Sequence, residues 1–324
     1  MRGHLQSCYV DVMRSLPHAS LLLAVLALPA AAATPWPSRE LRDRQAGWVQ
    51  GLAFTPDGRF LASADASGTV IVRMFPGPKV YATLNGSHFS KVAWSVDGRT
   101  LVGAGLDNLV YVWRQPFMDD PRTLPYDGPV KAVSVSPDGV ILAAGGGDHA
   151  IRRWRMPTME ELAPLKGHSD DVFTVRASFD GHRVASGGRD RTLRVWDAAA
   201  GQSRILYGPG ETVEGLAFSA NGALLAAAYS NGKVGLWNTD TWRLERFLQG
   251  PSGPVRGVAI SRRGPWLAGA GSDGAVWIWA LGDTTPPLRM PGHRGPVNAV
   301  AFSPNGPWLA SAGSDTTVRL WAVP

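Results

Sequence analysis

A unit of about 41 residues recurs seven times in this chain, and this repeat constrains the fold more than any other feature. In the unit at 167–197, an apolar stretch begins at Val172 and a turn follows at Gly181. A second apolar stretch leads to a turn at Asp190, and a third ends at Trp196. Apolar residues at a spacing of two, separated by Gly and Asp, are typical of β-hairpins. The repeated unit is therefore predicted to be a small antiparallel sheet.

Three markers stand in the same phase of the units. The glycines that close the first turn lie 40 to 42 residues apart, at Gly58, Gly98, Gly139, Gly181, Gly222, Gly264 and Gly306. An apolar opener stands nine residues before each glycine, at Val49, Phe89, Val130, Val172, Val213, Val255 and Val297. A tryptophan stands fifteen residues after six of the glycines, at Trp113, Trp154, Trp196, Trp237, Trp279 and Trp321. The first unit has Arg73 at that position. This regularity predicts seven equivalent sheets.

The units resemble the WD40 repeat family, whose repeats of about 40–45 residues carry Gly-His and Trp-Asp signatures. The fourth unit has both signatures, at Gly167-His168 and Trp196-Asp197, and the seventh has Gly292-His293. The resemblance covers residues 38–324. It implies an all-β, seven-bladed propeller with four-stranded antiparallel blades. It says little about function, because this fold hosts many unrelated roles.

The two ends of the repeat region fit a closed ring. The last unit stops at Trp321–Pro324, after its third strand. The segment Ser38–Arg42 stands at the offset before Val49 that fourth strands occupy in other units. We expect this N-terminal strand to complete the last blade, which would remove an open sheet edge.

Residues 1–33 have the character of a secretory signal peptide. A basic Arg14 precedes the apolar run 21–28, and an alanine run ends at Ala33. The apolar core is shorter than the roughly 20 residues that a membrane span needs. Residues 34–37 would then be a short linker, and no membrane span would remain after cleavage. Translation from Met13 and an uncleaved anchor both stay open.

Cysteine content and charge limit the chemistry. The only cysteine is Cys8, within the predicted signal, which excludes disulfides and thiol chemistry from the mature chain. The chain has a net charge of +6, and without residues 1–33 about +5 remains. This charge could favour acidic partners, or it could only solvate the surface. Nucleic acid is not predicted as a partner, because no basic run is interleaved with aromatic residues.

Two units carry four hydrogen-bonding residues each, and the resemblance to WD40 repeats implies that these residues stabilise the blade. They are His168, Ser186, Asp190 and Trp196 in the fourth unit and His293, Ser311, Asp315 and Trp321 in the seventh. An indole only donates and a carboxylate only accepts, so the set can form a one-way hydrogen-bond relay. A catalytic serine would have to be exposed near oxyanion donors. A structural role is therefore expected, with no catalytic residue.

Other chemical signals are weak. His149 and His182 are isolated in sequence, so no metal site is predicted. No Gly-rich phosphate loop before a helix indicates a cofactor, so none is predicted. No unit is long enough for a catalytic lid. Trp266 and Trp308 are expected to pack between blades, with exposed binding aromatics as the alternative.

The resemblance places a candidate partner-binding surface at the mouth of the central channel. The residue directly after each opener forms what we call the channel mouth: Gln50, Ser90, Lys131, Phe173, Glu214, Arg256 and Asn298. Residues directly before three openers form its rim: Trp48, His88 and Asp171. Aromatic and arginine side chains dominate protein interfaces, so we expect a peptide bearing arginine, lysine or an aromatic residue. Alternatively, these side chains only fill the channel.

The sequence thus predicts an exported, non-catalytic propeller that is monomeric by itself. It would serve as a rigid scaffold for other proteins or peptides in the bacterial cell envelope, in the periplasm or secreted. The alternative is a periplasmic propeller enzyme or electron-transfer accessory module that binds a small ligand in the central funnel.

Overall fold

The computed structural model describes residues 36–41, 45–77, 79–178 and 180–324. The predicted signal peptide lies outside these residues. Within them, twenty-eight strands form seven antiparallel sheets of four strands each, and there is no helix. None of the described elements is a helix that could cross a membrane. The predicted all-β, seven-bladed architecture is confirmed.

Each of the first three blades runs in chain order from the innermost strand outward. Blade one contains β2 (Val49–Phe54), β3 (Phe60–Asp65), β4 (Thr69–Met74) and β5 (Val80–Asn85). Blade two contains β6 (Phe89–Trp94), β7 (Thr100–Gly105), β8 (Leu109–Arg114) and β9 (Arg122–Pro125). Blade three contains β10 (Val130–Val135), β11 (Ile141–Gly146), β12 (Ala150–Arg155) and β13 (Glu160–Lys166).

The next three blades repeat this order. Blade four contains β14 (Val172–Ala177), β15 (Arg183–Gly188), β16 (Leu193–Asp197) and β17 (Ser203–Leu206). Blade five contains β18 (Val213–Phe218), β19 (Leu224–Tyr229), β20 (Val234–Asn238) and β21 (Arg243–Leu248). Blade six contains β22 (Val255–Ile260), β23 (Trp266–Gly271), β24 (Ala275–Ala280) and β25 (Leu288–Pro291).

Blade seven is built from both ends of the described chain. It contains β26 (Val297–Phe302), β27 (Trp308–Gly313), β28 (Val318–Ala322) and, on the outside, β1 (Ser38–Glu40). Ser38 pairs with Trp321 and Glu40 with Arg319, whose side chains form an ion pair of 3.3 Å. The predicted closure of the last blade by an N-terminal strand is confirmed.

The core lies between neighbouring blades, because each sheet buries both faces against the next. In blade four, Ala185 and Val195 pack with Val213 and Leu216 of blade five. At the closure, Leu41 and Val49 pack with Leu320 of blade seven. This burial of β-branched and small residues on both faces explains why the strands read as nearly continuous apolar runs.

The aromatic residues near the closure also pack. Trp36, inside the predicted linker, is buried and meets Trp266 edge to face at 5.7 Å. Trp308 lies under the guanidinium of Arg39 at 5.3 Å. Trp266 and Trp308 are therefore half-buried packing residues, as expected, and the chain is anchored two residues before β1.

Every innermost strand has a β-bulge directly after its opener. In β14, Val172 pairs with Gly188 and Thr174 with Gly187, so Phe173 is left outside the ladder. A bulge re-aims the extra side chain and increases the local twist. The repeated bulge is what turns the residues of the channel mouth toward the axis.

Candidate functional site

Blade four contains the complete hydrogen-bond relay. The Trp196 indole donates to Ser186 Oγ at 2.7 Å. Ser186 Oγ lies 2.7 Å from His168 Nε2, and His168 Nδ1 lies 2.7 Å from Asp190 Oδ2. The carboxylate can only accept, so His168 Nδ1–H donates to Asp190, and the remaining nitrogen, Nε2, accepts from the Ser186 hydroxyl. The relay ties the loop before β14 to the turn between β15 and β16.

Blade seven repeats this geometry. Trp321 Nε1 and His293 Nε2 each lie 2.8 Å from Ser311 Oγ. His293 Nδ1 lies 3.0 Å from Asp315 Oδ1. A threonine also bonds the carboxylate in both blades; in blade seven this is Thr317, at 2.8 Å. This Asp-x-Thr spacing was present in the sequence but was not singled out there.

The charge states of the relay follow from its burial. Burial lowers the pKa of His293, although Asp315 opposes this shift. Burial alone would raise the pKa of Asp315, but hydrogen bonds from His293 and the Arg294 amide outweigh it and bring the pKa to about 2. The pKa of Asp190 is likewise held well below its usual range by His168 and Thr192. In blade seven, the relay therefore places a neutral imidazole against an ionised carboxylate.

The relay is sealed from solvent. Ser186 and Ser311 are both 0% exposed, and each serine lies beside the indole that donates to it. A nucleophile must be able to reach its substrate. In this structure neither serine can do so, and the two sets act as internal bracing.

Two further blades keep a polar link that sequence analysis overlooked. In blade three, Tyr126 occupies the position of the histidine, and its hydroxyl bonds Asp148 and, at 2.9 Å, the carbonyl of Ala150. In blade one, Gln45 occupies that position and donates to Ser63 O at 3.1 Å. The buried Arg73, which replaces the tryptophan, donates to Ser63 Oγ at 2.8 Å. Counting four residues back from each opener would have revealed Tyr126 and Gln45.

Blade two replaces the relay with aromatic packing. Gly103 stands where blade four has its serine, and a Cβ there would lie 2.9 Å from the Trp113 ring. The ring of Trp113 is stacked on Tyr111 at 5.5 Å and meets Phe89 edge to face at 5.5 Å. Tyr111 still donates to Asp107 at 2.6 Å. Glycine is needed here because the indole fills the serine's place.

The structure brings the predicted channel mouth together. A cavity of about 500 Å³ opens at this end of the channel. All seven mouth residues line it: Gln50, Ser90, Lys131, Phe173, Glu214, Arg256 and Asn298. Of the three rim residues, Trp48 is 59% exposed, His88 is exposed and Asp171 is partly buried. The rim residues flank the cavity without lining it.

Several mouth residues are held by contacts between blades. Lys131 Nζ bonds Asp171 Oδ2 at 2.5 Å and lies 4.8 Å from the centre of the Phe173 ring. Arg256 donates to Asn298 Oδ1 at 3.2 Å, and Asn298 donates to Val49 O at 3.0 Å across the ring closure. The mouth is therefore preorganised.

Two cations inside the channel were not anticipated. Lys91, two residues after its opener, and Arg176, four residues after its opener, line a constriction of about 40 Å³ below the mouth. Burial and the nearby Arg176 lower the pKa of Lys91 to about 8. Burial raises the pKa of Glu214, the acid in the same constriction. The constriction is thus lined by more cations than carboxylates.

One possible cation-binding group lies outside the channel. Ligand atoms of His149, Asp170 and Asp171 come within 4.8 Å of one another, although His149 looked isolated in the sequence. Asp171 is already bonded to Lys131, and Asp170 accepts from the Asp171 amide at 2.8 Å. The two carboxylates already have partners within the protein, so we assign no metal to this cluster.

The family is shown by comparison with known proteins. The family model described as "WD domain, G-beta repeat" matches seven segments: residues 37–72, 78–114, 121–155, 159–197, 201–238, 242–280 and 285–322. These segments cover well over half of the sequence and correspond to the seven units. The chain belongs to the WD40 repeat family.

Curated relatives match over short stretches. WD repeat-containing protein 1-B of Xenopus laevis is 39% identical over 80 residues, 24% of this chain and 13% of that protein. WD repeat-containing protein 1 of Gallus gallus has the same identity and coverage. The guanine nucleotide-binding protein subunit beta of Zea mays is 38% identical over 81 residues, 22% of this chain and 21% of that protein. The chain thus matches less than a quarter of each relative's length.

Proposed function

We propose that this protein is an exported, non-catalytic scaffold of the bacterial cell envelope, and that it binds another protein through the channel mouth and its rim. The observation that carries the proposal is the exposed indole of Trp48 beside a cavity whose lining side chain differs from blade to blade. Protein interfaces are built on such aromatic and arginine anchors. Trp48 differs from other exposed aromatic side chains, such as Tyr207, because it lies beside this cavity.

Rigidity supports a scaffold role. The mouth residues project from innermost strands that neighbouring blades clamp on both sides, and the ring is closed by β1 and Asn298. A preorganised surface loses little conformational entropy on binding. The serines of both relays are inaccessible to solvent, so they cannot act as nucleophiles, and this favours a binding role over a hydrolytic one.

Affinity capture from an envelope extract tests this role. The bait is the intact ring, compared with Trp48→Ala, Phe173→Ala and Arg256→Ala. Tyr207→Ala and Arg204→Ala are the matched controls, because both residues are exposed on the outer side of blade four. We expect the three mouth and rim variants to lose one specific protein that wild type and both controls retain. If all five variants capture the same proteins as wild type, the mouth is not the binding surface.

Export is tested separately. We expect the protein in the periplasmic or secreted fraction, with a mature N terminus near residue 34. N-terminal sequencing of protein purified from the native host decides this. An N terminus at Met1 or Met13 in a cytoplasmic fraction would contradict export and leave the binding test unaffected.

A further inference from the structure

The channel wall is made of small side chains in all blades but two. Two residues after the openers, six blades carry Gly51, Ala132, Thr174, Gly215, Gly257 and Ala299, whereas blade two carries Lys91. Four residues after the openers, six blades carry Ala53, Ala93, Ser134, Ala217, Ala259 and Ala301, whereas blade four carries Arg176. Small side chains leave space along the axis, and the two long cations extend into it. Neither cation is needed for the blade, because six other blades do without it.

The two cations are held by backbone carbonyls, and Glu214 attracts Lys91 from beyond ion-pair distance. Lys91 Nζ donates to the carbonyl of Gln50 at 3.2 Å, and Arg176 Nη1 donates to that of Val175 at 3.0 Å. Across the described ranges, neither side chain belongs to an ion pair. Lysine has three donors and arginine five, so most of their hydrogen-bonding capacity is left for another group. Both side chains are half-buried in the channel, and a charge that is partly withdrawn from water favours an acidic partner.

The charge balance of the constriction is positive. Lys91, Arg176 and Arg256 line it together with one carboxylate, Glu214. The fourth cation at the mouth, Lys131, is already neutralised by Asp171. Two positive charges therefore remain uncompensated along the axis. This excess of positive charge attracts anions into the channel.

From this arrangement we infer that the channel between Lys91, Arg176 and Arg256 is a binding site for a small oxyanion, either a phosphate or sulfate group or a carboxylate. The cavity of about 500 Å³ at the mouth admits such a group, and the constriction of about 40 Å³ is lined by donors from blades two, four and six. Charge-assisted hydrogen bonds of this kind are stronger than neutral ones. The oxyanion comes either from solution or from an acidic side chain that a partner inserts. The site does not depend on the proposed scaffold function.

Calorimetric titration of the pure protein tests the site. Inorganic phosphate and sulfate are titrated at constant ionic strength against sodium chloride, and a blocked tetrapeptide with two glutamates forms a separate arm. We expect binding in at least one arm that chloride does not reproduce. Tighter binding of the peptide assigns the anion to a partner segment, and tighter binding of phosphate or sulfate assigns it to a free ion. Absence of binding in every arm would overturn the inference.

Two alanine variants each replace a channel cation with a residue of the kind that other blades carry at the equivalent position. Lys91→Ala and Arg176→Ala install the small residues that other blades carry, so their folding is favoured from the outset. We expect each variant to weaken oxyanion binding at least tenfold, with Arg204→Ala within twofold of wild type. Lys91→Met, which keeps the length of the side chain, should weaken binding equally if charge is what matters. Unchanged affinity in Lys91→Ala and Arg176→Ala refutes the site, even where protein capture succeeds.

Discussion

Replacing Ser186 with alanine tests whether the relay braces its blade. The substitution removes one oxygen and almost no volume, and blades three and five already carry Ala144 and Ala227 at this position. It leaves the Trp196 indole and His168 Nε2 without the partner that lies 2.7 Å from each. An unsatisfied buried polar group costs about 1–3 kcal/mol. We expect Ser186→Ala to lower the free energy of unfolding by about 2–4 kcal/mol in total.

Urea denaturation and thermal melting at pH 7 measure this loss. For a domain of this size, the expected fall in melting temperature is about 3–7 °C. Ser252→Ala, at an exposed position, is the control and should change stability by less than about 0.5 kcal/mol. Ser311→Ala in blade seven should cost a similar amount, and the two effects should add because the relays share no residues. If Ser186→Ala is indistinguishable from Ser252→Ala, the relay is not what braces the blade.

Three further predictions follow from the contacts described above. Because the pKa of Asp315 is about 2 and that of His293 lies below its usual value, the unfolded chain binds more protons in acid. Urea midpoints should therefore fall steadily from about pH 7 toward pH 2, and a flat profile would contradict this. Trp36→Ala removes a buried indole from Trp266 and should cost about 3–5 kcal/mol in chemical denaturation, far more than Tyr207→Ala. Tyr126→Phe loses the hydroxyl that bonds Asp148 and should cost about 1–2 kcal/mol by the same assay; no loss would show that the tyrosine does not replace the histidine.

The sequence predicted the ring well because its markers are local and periodic. The glycines, openers and tryptophans each report one turn or strand of a blade, and their shared phase defined all seven units. The closure by Ser38–Glu40 followed from one missing strand at the last unit. The mouth was also predictable, because its residues share one phase after the openers.

The interior of the channel was missed for a physical reason. The mouth expected from the sequence contains only residues beside each opener, whereas the bulge and the strand alternation carry the second and fourth residues into the channel as well. The sequence did contain an indication of these cations. When the seven units are aligned, Lys91 and Arg176 are each the one long cation at a position where the other six units have small residues. The approach of His149 to Asp170 had no such signal, because it depends on how blade three sits against blade four.

The junction in blade seven sets the order in which the molecule can be completed. Ser38 emerges from the ribosome some 280 residues before Trp321, the residue it pairs with. Before β28 is synthesised, β1 has no strand to pair with. Once β28 has formed, its backbone N–H and C=O groups stay unpaired at the sheet edge until β1 pairs with it. Completing blade seven therefore requires two segments from opposite ends of the described chain to meet, and a factor that holds the early segment elsewhere would leave the edge of β28 free to pair with other molecules.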